Sequence, residues 1–232
     1  MHKYEERFDE ILTNIEKVRL RVNQHQIIKI IAVSKNVDSK AVEDMYSIGQ
    51  RAFGENRVQD YKLKAETLES LPLEWHFIGR LQKNKINTLI DLNPSLMHSC
   101  SSLEMAKEID KRLEIKGKTM NVLLQINSAY EEQKAGVLPE NALEVYDEII
   151  STCKNIKLRG VMSIGAHTDD EETVRKSFEI THNIFRILEP KGAKYCSMGM
   201  SSDYCLAVEC GSNMLRIGST FFNPDYAAKN NK

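Results

Sequence analysis

The sequence predicts an α/β fold in which eight parallel strands close into a single (β/α)8 TIM barrel, preceded by one extra helix. Three observations carry this. Short apolar runs alternate with amphipathic segments eight times within 232 residues, and strict alternation implies a parallel sheet. The first strand-like run, residues 27–34, is apolar almost throughout, as a strand covered on both faces is. No Pro-, Gly- or Ser-rich linker divides the chain, so one domain over residues 1–232 is expected. A doubly wound open sheet is the alternative. The absence of Gly-x-Gly-x-x-Gly after the first strand, and of a Walker loop, weakens its nucleotide-binding versions.

Phe8, Ile11, Ile15, Val18 and Val22 recur at steps of three or four, which predicts a helix over residues 3–24. Residues 27–34 (Ile-Ile-Lys-Ile-Ile-Ala-Val-Ser) make the first strand, closed by Lys35. Asp38 is placed to cap a helix over 38–49 with Ala41, Val42, Met45 and Ile48 inward, and Gly49 stops it. Residues 51–54 read as a short second strand, followed by a helix from Glu55 to Ser70. Trp75–Gly79 is the third strand and Gln82–Leu92 the next helix.

Leu96–Ser99 is the fourth strand. Ser101 with Glu104 reads as a capping box for a helix with Leu103, Ala106, Ile109 and Leu113 inward. Residues 119–126 are the fifth strand. Pro139 suits the first turn of a helix whose stripe is Leu143, Tyr146, Ile149 or Ile150, and Cys153. Leu158–Ile164 is the sixth strand, and Thr168 with Glu171 suggests a second capping box for a helix to Leu188. Lys194–Met198 is the seventh strand, Ser201 caps a short helix ending near Gly211, and Asn213–Ile217 is the eighth strand. Phe221 opens a terminal segment.

Hydrophobic residues, at 41%, suffice for a sizeable core, while charged residues nearly balance at net −1. That balance gives no electrostatic footprint for nucleic acid or an anionic membrane surface. No apolar run is long enough to span a bilayer. The start, Met1 to Arg7, is charged and lacks a signal-peptide core. Five cysteines without a pairing pattern fit a reducing compartment, so a cytoplasmic protein is expected. Cys196, Cys205 and Cys210 lack zinc-ligand spacing and read as buried thiols. No metal site is expected.

In a barrel, residues just past each strand share one face, where chemistry collects. Lys35 follows the first strand. An amine held there partly out of water has a lowered pKa and can form a Schiff base with a carbonyl; a solvated strand-end lysine is the plain alternative. Asn56 and Arg80 follow strands two and three, and Gly165 and His167 follow strand six.

The loops after strands seven and eight, Ser197–Asp203 and Arg216–Thr220, are where such barrels bind phosphate. There Gly199 lets backbone approach a ligand, Ser201 offers a hydroxyl, and Gly218 and Ser219 offer backbone N–H groups. A lysine facing a phosphate cradle suggests pyridoxal 5′-phosphate (PLP), with Arg216 at the pyridine nitrogen; a salt bridge to an acid is the alternative for Arg216. His76 and His98, inside apolar strands, read as packed core imidazoles. His167 is a candidate on the working face. Glu55 reads as solvated or capping, and Lys83 and Lys85 as a solvated basic face.

Five stretches carry a resemblance. They are Ala32-Val33-Ser34-Lys35, Phe53-Gly54-Glu55-Asn56, Trp75 to Lys85 (Trp-His-Phe-Ile-Gly-Arg-Leu-Gln-Lys-Asn-Lys), Ser197 to Asp203 (Ser-Met-Gly-Met-Ser-Ser-Asp) and Arg216-Ile217-Gly218. From about residue 6 to 222 the chain resembles the pyridoxal phosphate homeostasis protein family. The resemblance implies a fold like the N-terminal barrel of alanine racemase, with PLP held covalently on Lys35. It implies Arg216 near the pyridine nitrogen, Asn56 near the ring, and phosphate held by Ser201, Gly218 and Ser219. It further implies intracellular PLP homeostasis, buffering or delivering the cofactor to PLP-dependent apo-enzymes without catalytic turnover. Two positions depart or carry no role: Arg80 stands where the family pattern varies, and Asn223 stands where a glycine is usual.

An alanine racemase-like enzyme is the second reading. It needs a group opposite the lysine, which such racemases take as a tyrosine from an added β domain. The tail after Gly218, with Tyr226 in it, is too short for one. An arginine at the ring nitrogen favours unprotonated pyridine and a weaker electron sink, but racemases share that feature. A phosphosugar-binding barrel without PLP is the third reading. No long heptad or dimer domain is visible, so a monomer is expected.

Overall fold

The computed structural model describes residues 4–223. Lys3, Pro224 and Tyr226 lie outside the described residues. Eight strands run in parallel and close in chain order, each neighbour paired to the next and the eighth to the first. They are β1 (Lys29–Val33), β2 (Ala52–Glu55), β3 (Glu74–Phe77), β4 (Leu96–Cys100), β5 (Met120–Ile126), β6 (Ile156–Ser163), β7 (Tyr195–Ser197) and β8 (Met214–Ile217). Helices α2 (Ser39–Ser47), α3 (Val58–Thr67), α4 (Ile86–Leu92), α5 (Leu103–Lys116), α6 (Ala142–Thr152), α7 (Glu171–Leu188) and α8 (Tyr204–Glu209) connect them. The expected (β/α)8 barrel with an added first helix is therefore present.

That added helix is α1 (Glu5–Val22), whose buried face is Ile11, Ile15 and Val18. It packs on the outside of the barrel against α8 and the closing turn α9 (Ser219–Phe222). Tyr4 meets Phe222 edge-on at 5.5 Å, and Phe8 stacks with Phe221 at 5.9 Å. Asn14 donates to the Tyr204 hydroxyl at 3.1 Å, and Arg7 to the Phe221 carbonyl at 3.0 Å. These contacts tie the first helix to the loops after β7 and β8.

Strand residues alternate between the barrel interior and the helix layer, as a period of two requires. Ile31, Ala52, Leu96, Leu123, Met162 and Met214 form the apolar filling of the interior. Phe53, Trp75, Phe77, Leu215 and Ile217 point outward into the larger core under the helices. The interior also holds polar side chains on β3, β4, β7 and β8: His76, His98, Ser197 and Arg216, all buried.

Several boundaries differ from the sequence reading. β1 begins at Lys29, paired with Met214, and leaves Ile27 outside the sheet and 86% exposed. Asp38 caps α2 as expected, accepting from the Ala41 N–H at 2.9 Å. The two capping boxes are displaced. Ser102, not Ser101, accepts from the Met105 N–H, and Asp170, not Thr168, accepts from the Thr173 N–H. In each case an adjacent competent oxygen sits one or two residues nearer the helix. Ser201 does not cap α8, which starts three residues later with Asp203 at its N-cap. In α6 it is Ile149, not Ile150, that is buried.

Candidate functional site

The carboxyl ends of the strands form one rim, and its best-built part lies where β8, β1 and β2 adjoin. Ala32 pairs with Ile217, and Val33 with Gly54. Lys35 follows two residues later in an exposed turn. It has no hydrogen-bond or ion-pair partner among the described residues, so its amine is open, where the sequence reading expected partial shelter. The backbone leading to it is fixed from below. Buried Ser34 donates its hydroxyl to Glu55 Oε1 at 2.6 Å. Lys64 Nζ donates both to the Ser34 carbonyl and to Glu55 Oε1, each at 2.6 Å.

Glu55 is thus neither solvated nor a cap: it is fully buried in an ion pair with a nearly buried lysine. Burial pushes its carboxyl pKa up, and the hydrogen bonds from Lys64 and Ser34 pull it back. Its Oε2 has no partner among the described residues. Lys64 escaped the sequence reading because lysines are usually solvated. The available signal was its place on the buried stripe of α3 with Val58 and Tyr61.

Asn56 directly follows β2 and is half-buried. Its carbonyl abuts the loop after β3: a Cβ on Gly79 would lie 1.9 Å from Asn56 O. Only glycine lets the two loops approach this closely. Arg80 is exposed and lines a cavity of about 270 Å³ at the mouth, together with Ser99, Gln125, Asn127, Lys134 and Met162.

On the other side, Ser201 joins the loops after β7 and β8. Its Oγ accepts from the Gly218 and Thr220 N–H groups, both at 3.2 Å. Both acceptor lone pairs are then engaged, and the hydroxyl proton is the function left open. The Gly218 N–H is therefore taken within the protein, where the sequence reading left it exposed. Ser219 is exposed and its N–H has no partner among the described residues. Gly199 serves packing rather than ligand approach. It sits at φ +95°, and a Cβ there would lie 2.5 Å from Ala207 Cβ.

Arg216 lies below this rim, with 5% of its surface exposed. Nη1 donates to Ser197 Oγ at 2.7 Å and Nη2 to the Ser163 carbonyl at 2.8 Å. Burial lowers its pKa to about 10, against the opposing pull of the Asp203 charge. The salt-bridge alternative is not realised among the described residues. His76 and His98 are buried as expected, yet they bond to each other at 2.8 Å instead of packing as isolated rings. His167 is exposed on the loop after β6, held by its N–H to Glu131. Cys196 and Cys210 are buried and Cys205 is half-buried. Among the described residues no group of three or more His, Cys, Asp or Glu is placed to hold a metal ion.

The donor set suits a phosphorylated aldehyde carrying a ring nitrogen. An unpartnered amine stands beside a hydroxyl donor and an open backbone N–H, suited to phosphate. A buried guanidinium with spare donors faces the same end. Residues 7–224 match the family model for the alanine racemase N-terminal domain, which defines the class of barrel.

Two solved structures of PipY from Synechococcus elongatus align with it. The one without PLP gives TM-score 0.80 at 30% identity, over 91% of this chain and 99% of that one. The one with PLP bound gives TM-score 0.76 at 29% identity, over 90% and 100%. An alanine racemase of Clostridium difficile shares the fold at TM-score 0.72 and 19% identity, over 91% of this chain and 54% of that one. The pyridoxal phosphate homeostasis protein of Helicobacter pylori strain J99 is 55% identical over 96% of this chain and 99% of its own. The chain belongs to the pyridoxal phosphate homeostasis protein family.

Proposed function

We propose that this chain binds PLP as a Schiff base on Lys35 and serves PLP homeostasis in the cytoplasm, buffering or delivering the cofactor without catalytic turnover. The observation that carries this is the open Lys35 amine just past β1, the strand next to β8, which bears Arg216 and leads into Gly218. PLP supplies an aldehyde that a neutral amine attacks. A C=N bond forms, water leaves, and hydrolysis reverses the step. Reversible anchoring of this kind suits a carrier.

The chain's own residues divide the remaining work. Ser201, through its open hydroxyl proton, and the Ser219 backbone N–H would hold the phosphate, while Gly218, its own N–H given to Ser201, would place them. Arg216 would face the pyridine nitrogen, and Asn56 would flank the ring. The buried clamp of Glu55 and Lys64 holds the backbone that leads into the Lys35 turn. Support comes from the name shared by the curated relatives and from the PLP-bound PipY structure. No helix among the described residues is long and apolar enough to cross a membrane. Five free thiols fit a reducing compartment. A monomer that passes PLP to apo-enzymes completes the reading.

The test is an absorbance spectrum of the purified protein with saturating PLP, then borohydride reduction and mass analysis. A phosphopyridoxyl group on Lys35, absent in Lys35→Ala, is expected. Wild-type protein that takes up no PLP overturns the proposal. Sustained, Lys35-dependent exchange of an amino acid α-proton would favour the racemase reading instead.

A further inference from the structure

Five side chains run in line through the barrel interior, from the mouth to the opposite end. Arg216 Nη1 donates to Ser197 Oγ at 2.7 Å. Ser197 Oγ meets His98 Nδ1 at 3.1 Å. His98 Nε2 meets His76 Nδ1 at 2.8 Å, and His76 Nε2 meets Glu74 Oε1 at 3.0 Å. Glu74, the first residue of β3, also receives Lys29 Nζ from the first residue of β1. The side chains come from β8, β7, β4 and β3, so barrel closure assembles the line.

The protons are fixed from both ends. An ionised Glu74 only accepts, so His76 Nε2 carries hydrogen. A neutral His76 then presents a bare Nδ1, which requires hydrogen on His98 Nε2. A neutral His98 in turn presents a bare Nδ1, which takes the Ser197 hydroxyl proton. From the other end, a guanidinium only donates, so it occupies a lone pair of Ser197. The hydroxyl proton has one acceptor among the described residues, His98 Nδ1. Both ends give the same direction. Burial, which lowers both imidazoles, keeps them neutral near pH 7.

We propose that His98, His76 and Glu74 are positioning residues for Arg216, joined to it by a one-way chain of hydrogen-bond donation. The cation at the mouth and the carboxylate at the far end polarise every bond in the same sense, which strengthens each. Arg216 is buried without a carboxylate in direct contact among the described residues, and the chain couples its charge to Glu74 across the barrel. Ser197 loses its freedom to rotate, so the guanidinium keeps one orientation toward the bound ring. The consequence for cofactor rests on the PLP reading above; the chain itself does not.

Imidazole ¹⁵N NMR on the cofactor-free protein tests the chain directly. Both His76 and His98 are expected in the Nε2–H form. In Glu74→Gln, whose amide donates as readily as it accepts, a second tautomer is expected at His76. With PLP, His98→Phe and Glu74→Gln are expected to shift the absorption maximum of the bound cofactor. His98→Phe should also raise the PLP dissociation constant about tenfold. Should His98→Phe fail to fold, Glu74→Gln, a third exposed, carries the cofactor test. An Nδ1–H form at His98 in the wild type overturns the proposal. So do an unmoved absorption maximum and affinity in the variants of a protein that binds PLP. A protein that takes up no PLP refutes the proposed function, and the NMR result still decides the chain.

Discussion

Lys64 Nζ donates to the carbonyl oxygen of Ser34 at 2.6 Å, and Ser34 is the residue before Lys35. One buried ammonium thus holds both the backbone that presents the candidate anchor and the Glu55 carboxylate nine positions earlier. Lys64→Met would leave Glu55 buried with its charge unmatched. Removing one member of such a pair costs about 3–5 kcal/mol. The double change Glu55→Gln with Lys64→Met removes both charges, and the amide still accepts from Ser34, so it is expected to be the milder variant. Urea unfolding compares the three proteins. A loss below about 1 kcal/mol in Lys64→Met would count against a buried, charged pair.

The clamp also marks where sequence reading stopped. The barrel was legible because strand-helix alternation is a local pattern repeated eight times, and Asp38 caps α2 where the sequence placed it. The caps of α5 and α7 slipped because Ser101 and Ser102, or Thr168 and Asp170, compete at neighbouring positions. Strand-end residues were placed on the right rim. Their partners were not, because which interior side chains meet depends on the stagger of the closed sheet. His98 and Ser197 lie 99 residues apart, and no local spacing announces their contact. Ser201 does not cap α8 for the same reason, since its hydroxyl reaches across to the next strand's loop.

Gly79 and Asn56 test how tightly the mouth is built. A methyl group at residue 79 would meet the Asn56 carbonyl at 1.9 Å, and the backbone of one loop must move. Gly79→Ala is expected to destabilise the protein by more than about 2 kcal/mol and to weaken PLP binding. Gly117→Ala is the control. That residue, unlike Gly79, has positive φ, at +61°, but meets nothing within 4 Å, so only backbone strain of about 1 kcal/mol is expected. Thermal unfolding separates them, and an effect at Gly79 no larger than at Gly117 would argue against the close contact with Asn56.

The paired histidines set an acid limit. Burial holds both imidazoles below their ordinary value near 6.5, the more so at His98. Below about pH 6.5 the unfolded chain binds protons that the folded chain does not. Stability is therefore expected to fall as the pH drops from 7 toward 5. Glu74, held down to about 2 by the His76 hydrogen bond, keeps its contribution above about pH 4.5 and loses it only as the pH falls toward 2. The loss between 7 and 5 thus belongs to the histidines, half-buried His182 on α7 included, whose imidazole burial also lowers. His98→Gln should show a shallower slope across that window. A flat wild-type profile by urea unfolding would contradict two neutral buried imidazoles.

Lys35 and Ser201 separate covalent anchoring from phosphate grip. Lys35 is exposed and partnerless among the described residues, so Lys35→Ala is expected to change stability by no more than about 0.5 kcal/mol. It should abolish the covalent PLP adduct while leaving reversible, non-covalent binding to the phosphate loops. Ser201→Ala acts in the opposite way. It removes the acceptor shared by the Gly218 and Thr220 N–H groups, at a cost of about 1 kcal/mol. The adduct on Lys35 should still form, but at PLP concentrations raised about tenfold, the equivalent of one lost hydrogen bond of that strength. Titration followed by absorbance, with borohydride trapping at saturation, distinguishes the two. If Ser201→Ala binds PLP as tightly as the wild type, the phosphate does not sit between the loops after β7 and β8.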